Sequence, residues 1–137
     1  MVTGHEIHEW LGITSTQDAH GVYVGFQEIR SHRAPTKVGR SKNAQAIQRG
    51  RAQGGANWWF ASYFLLPNRE CTQFVEREWK QQFKSQNIVK AEQRQTELYY
   101  LSPDDATAEL EALIRSLGLP IRDLVDEILE NCLHPAA

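Results

Sequence analysis

Cysteines and long apolar segments are scarce in this sequence. Only two cysteines occur among its 137 residues, Cys71 and Cys132, and two thiols make neither a disulfide framework nor a metal-binding set. Such sparse cysteine usage is typical of the reducing cytoplasm. No apolar run approaches the roughly 20 residues that cross a bilayer, and the opening stretch MVTGHEIHEW has no signal-peptide pattern. We therefore expect a soluble cytoplasmic protein whose thiols are buried.

Acidic residues are absent from a long internal segment. Between Ile29 and Arg69 there are eight lysines or arginines and no aspartate or glutamate, whereas residues 97–137 hold nine acids and two arginines. The net charge of −2 argues against unspecific binding of polyanions by the whole surface. Two interpretations of the asymmetry stay open. The basic segment forms a phosphate-binding face, or its arginines pair with the acidic C-terminal part.

Hydrophobic periodicity predicts a small α+β fold, and the length fits one domain. Strands are predicted at 20–28, 36–41, 57–67 and 96–102, and helices at 41–55, 68–87, 102–118 and from residue 120 onward, after a short N-terminal helix. Segment 57–67 is apolar on both faces, which indicates a central strand covered on both sides. The chain divides into an N-terminal helical extension (1–19), a main domain (20–118) and a C-terminal amphipathic helix (119–137).

The first predicted strand carries one tyrosine between two glycines. Tyr23 alternates with Gly21 and Gly25 on one strand face, and such a face lets the backbone of a ligand approach closely. A hairpin with the second strand would bring Lys37 beside Tyr23. These two side chains are therefore candidates for a site.

The helix predicted at 68–87 offers two candidate carboxylates. When its residues are projected from Phe74 at the helical period, Glu76 lies at the border of the apolar arc and Glu78 lies inside it. The geometry of the helix alone leaves both open. Glu76 could equally pair with Lys80 on an exposed face.

The order of these motifs resembles that of the GIY-YIG nuclease family, over roughly residues 20–115. The resemblance rests on GVY (21–23), KVG (37–39), an arginine-bearing helix, a hydrophobic strand and a helix with an inward glutamate. The stretches KVGRSKN, VEREW…F and TELYYLSP are most similar to the phage-type branch. The resemblance implies a three- to four-stranded, mainly antiparallel sheet flanked by helices. It also implies a DNA endonuclease that depends on Mg²⁺ or Mn²⁺ and acts in a bacterial or phage-infected cell, with a phage or mobile element as a candidate source.

The resemblance also implies a role for each matching residue. Tyr23 would accept a proton from the attacking water, and Glu76 would bind the single divalent metal because the apolar residues after it have the family's spacing. Arg49 or Arg51 would contact the scissile phosphate, and the choice between them stays open. Lys37 stands where the family usually has its second tyrosine, and the histidine or tyrosine that often follows the arginine by one turn is missing.

The basic segment would contact the rest of the DNA, and the implied nucleic-acid-binding residues are Arg30, Arg33, Arg40, Lys42, Arg49 and Arg51. One such site cuts one strand, so the protein would nick DNA, or cleave both strands as a homodimer formed through the C-terminal helix. The apolar stripe of that helix could also pack on its own domain.

The chemistry of phosphodiester hydrolysis is consistent with these residue types. Arginine offers a bidentate donor to phosphate, and a single glutamate suffices for Mg²⁺, which keeps most of its waters. Tyrosine has an ordinary pKa of about 10 and needs a nearby cation to act as a base at neutral pH. Lys37 could supply that cation or could itself activate the water.

Two other functions are alternatives to the endonuclease. One is a catalytically inactive nucleic-acid-binding domain of the same fold, and the other is a protein-interaction module with acidic helices.

Overall fold

The computed structural model describes residues 20–27, 35–41, 58–89 and 95–126. The strands are β1 (Gly21–Gln27), β2 (Thr36–Ser41), β3 (Trp58–Leu65), β4 (Asn87–Val89) and β5 (Gln95–Tyr99), and the helices are α1 (Arg69–Gln82) and α2 (Pro103–Ser116). A short 3₁₀ turn, Lys84–Gln86, links α1 to β4. The predicted N-terminal extension, the predicted helix at 41–55 beyond Ser41, and residues 127–137 lie outside the described residues.

The strands form one antiparallel sheet in the order β3-β1-β2-β5-β4. This confirms the predicted α+β class and the mainly antiparallel sheet. The sheet has five strands, not the three or four expected, because β4 was missed. Its three residues are too few to show a period. The side chain of Asn87 completes the pairing, since its amide donates to the Thr96 carbonyl oxygen at 2.7 Å and its Oδ1 accepts from the Thr96 N–H at 3.2 Å.

Strand β3 lies at one edge of the sheet that the described residues form, so its predicted central position is wrong. A C-terminal segment runs along this edge: the Leu65 N–H donates to the Arg122 carbonyl at 2.8 Å, and the Leu124 N–H donates to the Tyr63 carbonyl at 2.9 Å. The segment satisfies backbone groups that an open edge would leave unpaired.

Both described helices pack on one face of the sheet. Val22, Val24 and Val38 meet α1 through Val75 and Trp79, and α2 contributes Ala106, Leu110, Leu113 and Ile114 to the same core. Helix α2 begins and ends where the sequence predicts. Ser102 caps it by accepting from the Asp105 N–H at 3.1 Å, Pro103 occupies the first turn, and Gly118 follows it with φ of 73°.

Helix α1 is rotated relative to the sequence-based projection. Phe74 was expected to face the core, but it is 39% exposed and lies beneath the Arg77 guanidinium, 5.7 Å from the ring centroid. Val75 and Trp79 take the inward positions and are almost fully buried. This rotation places Glu76 on one flank of the helix and Glu78 on the other.

The first part of the predicted C-terminal stripe packs on its own domain. Leu124 is 6% exposed and Ile121 is packed against the core. The remainder of the stripe, including Cys132, lies outside the described residues, whereas Cys71 is buried, as expected. Neither of the two described helices is long and apolar enough to span a membrane.

Candidate functional site

Tyr23 lies on the sheet face opposite α1 and α2, because it alternates with the core residues Val22 and Val24. It pairs with Gly39 of β2 on one side and Tyr63 of β3 on the other. Its ring centroid is 4.8 Å from that of Phe60. The side chain is not the open platform that its glycine neighbours suggested, since Tyr23 is only 2% exposed.

Gly39 provides the space into which the Tyr23 hydroxyl extends. A Cβ atom at position 39 would lie 3.2 Å from Tyr23 Oη and 3.0 Å from Glu97 Oε2. The phenol and the carboxylate therefore border one small space above Gly39. Glycine leaves this space open, because it has no Cβ atom to occupy it.

Lys37 is a diagonal neighbour of Tyr23 and does not stand directly across from it. Its Cα partner on β1 is Gly25. The Lys37 Nζ lies 3.5 Å from Glu97 Oε2, and the two side chains are 22% and 39% exposed. Tyr23, Lys37 and Glu97 thus form one group around Gly39.

Glu76 belongs to a second group, on the helix side of the sheet. Arg40 leaves β2 on that side because it pairs with the core residue Val22, and its Nε lies 3.2 Å from Glu76 Oε1. Lys80, one turn further along α1, places its Nζ 3.8 Å from the same oxygen. The Glu76 side chain is only 16% exposed.

The second group and Glu97 line an open cleft of about 780 Å³ between the end of β2, α1 and β5. Its described lining is polar and consists of His20, Arg40, Ser41, Arg69, Thr72, Glu76, Lys80 and Glu97. Three of these side chains are lysine or arginine and two are carboxylates. The cleft can bind an anion such as a phosphate through its arginines.

Glu97 connects the two groups of predicted residues. It lines the cleft together with Glu76 and also contacts Lys37 on the other side. Neither Tyr23 nor Lys37 is among the described residues that line the cleft. The structure therefore brings Arg40 to Glu76 and Lys37 near Tyr23, on opposite faces of the sheet, and the predicted catalytic residues Tyr23 and Glu76 do not line one cleft among the described residues.

The remaining predicted site residues lie outside the described part of the chain. They are Arg30, Arg33, Lys42, Arg49 and Arg51. The described residues thus include Tyr23, Lys37, Arg40 and Glu76. Glu78, the second candidate carboxylate, is half-buried on the far flank of α1 and is not among the described residues lining the cleft.

Several lining residues were not predicted from the sequence. Lys80 had a signal, since it follows Glu76 at i+4. Glu97 had none, because only the strand order, which puts β5 next to β2, brings it to the cleft. Arg69 is the last residue of the basic segment. It lines the cleft because α1 packs beside β2, and the sequence does not predict that packing.

Two tyrosine hydroxyls of the sheet remain protonated well above neutral pH. Burial raises the pKa of Tyr63, whose hydroxyl donates to the Ser41 carbonyl oxygen at 3.1 Å. Burial is also the main cause of the raised pKa of Tyr99, and the negative charges of Glu76 and Glu97 raise it further. A neutral phenol therefore lies close to both carboxylates of the cleft.

The chemistry of the cleft fits a single Mg²⁺ ion. Both cations that contact Glu76 meet its Oε1, and its Oε2 makes no hydrogen bond or ion pair with the described residues. Mg²⁺ is bound in proteins through one or two carboxylates and keeps several waters, so Glu76 alone suffices. The described residues contain no cluster of three or more histidine, cysteine, aspartate or glutamate side chains that could hold a metal.

Comparison with known proteins gives no relative: no family model matches the chain, and neither the curated proteins nor the solved structures contain a match. The resemblance to GIY-YIG nucleases stays a prediction from the sequence. The chemistry of the cleft is therefore the basis for a functional proposal.

Proposed function

We propose that this protein is a Mg²⁺- or Mn²⁺-dependent DNA endonuclease that hydrolyses phosphodiester bonds. The observation that carries the proposal is the position of Glu76, a half-buried carboxylate with one oxygen held by Arg40 and Lys80, in a cleft rich in cations. Phosphodiester hydrolysis requires a Lewis acid, cationic donors at the phosphoryl oxygens and an activated water. Glu76 would hold the Lewis acid, and Arg40, Arg69 and Lys80 would supply the cationic donors.

Each side chain would have one task. Glu76 would hold the metal through Oε2, and the metal would stabilise negative charge on the phosphoryl and leaving oxygens. Arg40, Arg69 and Lys80 would bind phosphate oxygens along the cleft. Of the residues outside the described part, Arg49 or Arg51 would contact the scissile phosphate.

Proton transfer would fall to the group around Gly39. Tyr23 would accept the proton of the attacking water, and the ammonium of Lys37 would favour the phenolate form that this step needs. This step requires the scissile phosphate to contact both the cleft and the space above Gly39, and Glu97 borders both.

Conversion of supercoiled plasmid to the nicked form tests the proposal. Wild-type protein with Mg²⁺ should nick the plasmid, and the same protein with excess chelator should not. Tyr23→Phe, which keeps the ring packed against Phe60, should lower the rate by about 10²-fold or more. Absence of Mg²⁺-dependent nicking by the folded wild-type protein would refute the proposal. A homodimer would in addition produce linear plasmid, and light scattering would show its mass.

A catalytically inactive DNA-binding domain is the second candidate. It is favoured by the burial of Tyr23 and by its position on the sheet face opposite the helices. This candidate predicts DNA binding whose affinity falls steeply with salt, with no cleavage under any divalent ion. Arg40→Gln and Arg69→Gln would then weaken binding and have no cleavage rate to change.

A further inference from the structure

Lys37 contacts the carboxylate of Glu97, a residue to which the sequence resemblance assigns no role. The Nζ of Lys37 lies 3.5 Å from Glu97 Oε2. Its direct neighbour on β1 is Gly25, which has no side chain to hold the lysine. Glu97 of β5 and Tyr23 of β1 are titratable side chains near this lysine on the strands next to its own.

The same carboxylate reaches the space beside the Tyr23 hydroxyl. Glu97 Oε2 and Tyr23 Oη lie 3.0 and 3.2 Å from the position that a Cβ of Gly39 would occupy. The same carboxylate oxygen therefore lies near the ammonium and beside the space that the phenol borders.

We propose that Glu97 is a positioning residue that keeps Lys37 in its ammonium form above Gly39, beside Tyr23. Lys37 consequently acts as a cation and not as the proton acceptor for water. This inference rests on the proposed nuclease function for its catalytic meaning, and it deepens that function by deciding between the two roles that the sequence allows for Lys37.

The physical reason is the stabilisation of a charged amine by an adjacent carboxylate. An opposite charge within about 4–6 Å favours the ionised form of both partners. Both side chains are partly exposed, so solvent screens the attraction and the effect is moderate. A neutral lysine, which a base would have to be, is disfavoured at this position for as long as Glu97 is ionised.

Amine reactivity measured site by site tests the proposal without any need for nuclease activity. Only the neutral amine reacts with acetic anhydride, so the pH dependence of acetylation at Lys37, followed by mass spectrometry, reports its ionisation. Lys84, an exposed lysine of the 3₁₀ turn, serves as the internal reference. The variants are Glu97→Gln, the conservative Glu97→Asp, and the control Glu111→Gln, which removes a carboxylate paired with Arg115 on α2.

The expected result is a lower pH midpoint for Lys37 in Glu97→Gln. Its acetylation near neutral pH should rise about two- to fivefold relative to Lys84, the range that a partly exposed ion pair allows. Glu97→Asp should give an intermediate value, and Glu111→Gln should match wild type. In the wild-type protein, about 1 M salt should also lower the midpoint, because it screens the pair. The salt measurement tests the inference even if Glu97→Gln fails to fold.

An unchanged or higher midpoint for Lys37 in Glu97→Gln, or in wild type at high salt, would overturn the inference. The two proposals fail separately. A protein that never cuts DNA refutes the nuclease function and leaves the Lys37 measurement valid. If the protein cuts DNA but the pH midpoint of Lys37 is the same in Glu97→Gln as in wild type, the nuclease function stands and the positioning role of Glu97 is refuted.

Discussion

Two glycines on the Tyr23 face of the sheet should respond very differently to the same substitution. Gly21 of β1 and Gly39 of β2 lie on neighbouring strands, and each change to alanine adds one methyl group. We expect Gly21→Ala to destabilise the fold strongly and Gly39→Ala to leave the free energy of unfolding nearly unchanged. The difference follows from what each methyl group would meet.

At position 21 the methyl group would meet atoms that cannot move away cheaply. It would lie 2.5 Å from Tyr63 Cζ and 2.7 Å from the Phe64 carbonyl oxygen. The Tyr63 ring is fully buried, packs on Phe60 at 5.6 Å and is held by its hydrogen bond to Ser41. Overpacking of this kind typically costs about 1–3 kcal/mol.

At position 39 the nearest atoms are the ends of two side chains. Glu97 is 39% exposed and can retreat by the few tenths of an ångström that contacts of 3.0–3.2 Å require. We expect a cost below about 0.5 kcal/mol, partly offset because alanine restricts the unfolded chain. The functional effect should be larger than the effect on stability, since the methyl group would separate Glu97 from Tyr23.

Urea unfolding followed by tryptophan fluorescence measures both free energies, since Trp79 is buried and reports the core. Each shift of the urea midpoint, multiplied by the common slope, gives the loss in free energy of unfolding. We predict that this loss is larger for Gly21→Ala than for Gly39→Ala by about 1 kcal/mol or more. Equal shifts, or a larger shift for Gly39→Ala, would show that the Tyr63 ring does not lie against β1 as described.

Two further predictions concern stability. Burial raises the pKa values of Tyr63 and Tyr99, so the folded state holds these protons more tightly than the unfolded state does. The free energy of unfolding should therefore be steady below about pH 10 and should fall as the pH rises above it. Urea titrations at several alkaline pH values should give a shallower fall for Tyr63→Phe than for wild type, and an equal slope would contradict the described burial. Asp123→Ala should cost about 1–2 kcal/mol, because Asp123 Oδ1 accepts from the N–H groups of Tyr63 and Val125 at 3.0 Å each; Asp126→Ala is the matched control, and equal losses in both variants would argue against an edge held by Asp123.

Local sequence signals predicted the elements well where those elements were long or capped. Alternation located β1 and β2 to within a residue or two, and Ser102, Pro103 and Gly118 marked α2. Strand β4 escaped because three residues carry no period. The position of β3 escaped for a different reason. An apolar strand covered by the segment around Leu124 has the same composition as a central strand, and only the pairing of distant residues distinguishes the two.

The candidate site was predictable in its parts and not in their arrangement. The helical period brought Glu76 to the border of the apolar face, and the structure places it in the cleft with Arg40. Phe74 distorted the projection, since a large apolar residue was assumed to be buried. Glu97 was missed because a glutamate in a short strand is usually solvated. Its importance follows from the strand order, which puts β5 next to β2.

Cleavage by two isosteric variants tests the central proposal most directly. Glu76→Gln and Glu78→Gln remove one carboxylate each from opposite flanks of α1, and only Glu76 is among the described residues lining the cleft. With supercoiled plasmid and Mg²⁺, we predict that Glu76→Gln loses at least about 10²-fold of the nicking rate while Glu78→Gln nicks as wild type does. Isothermal titration with Mn²⁺ should show the same contrast in metal binding. Wild-type nicking by Glu76→Gln, in a protein that folds and binds Mn²⁺ normally, would contradict the assignment of this cleft as the catalytic site.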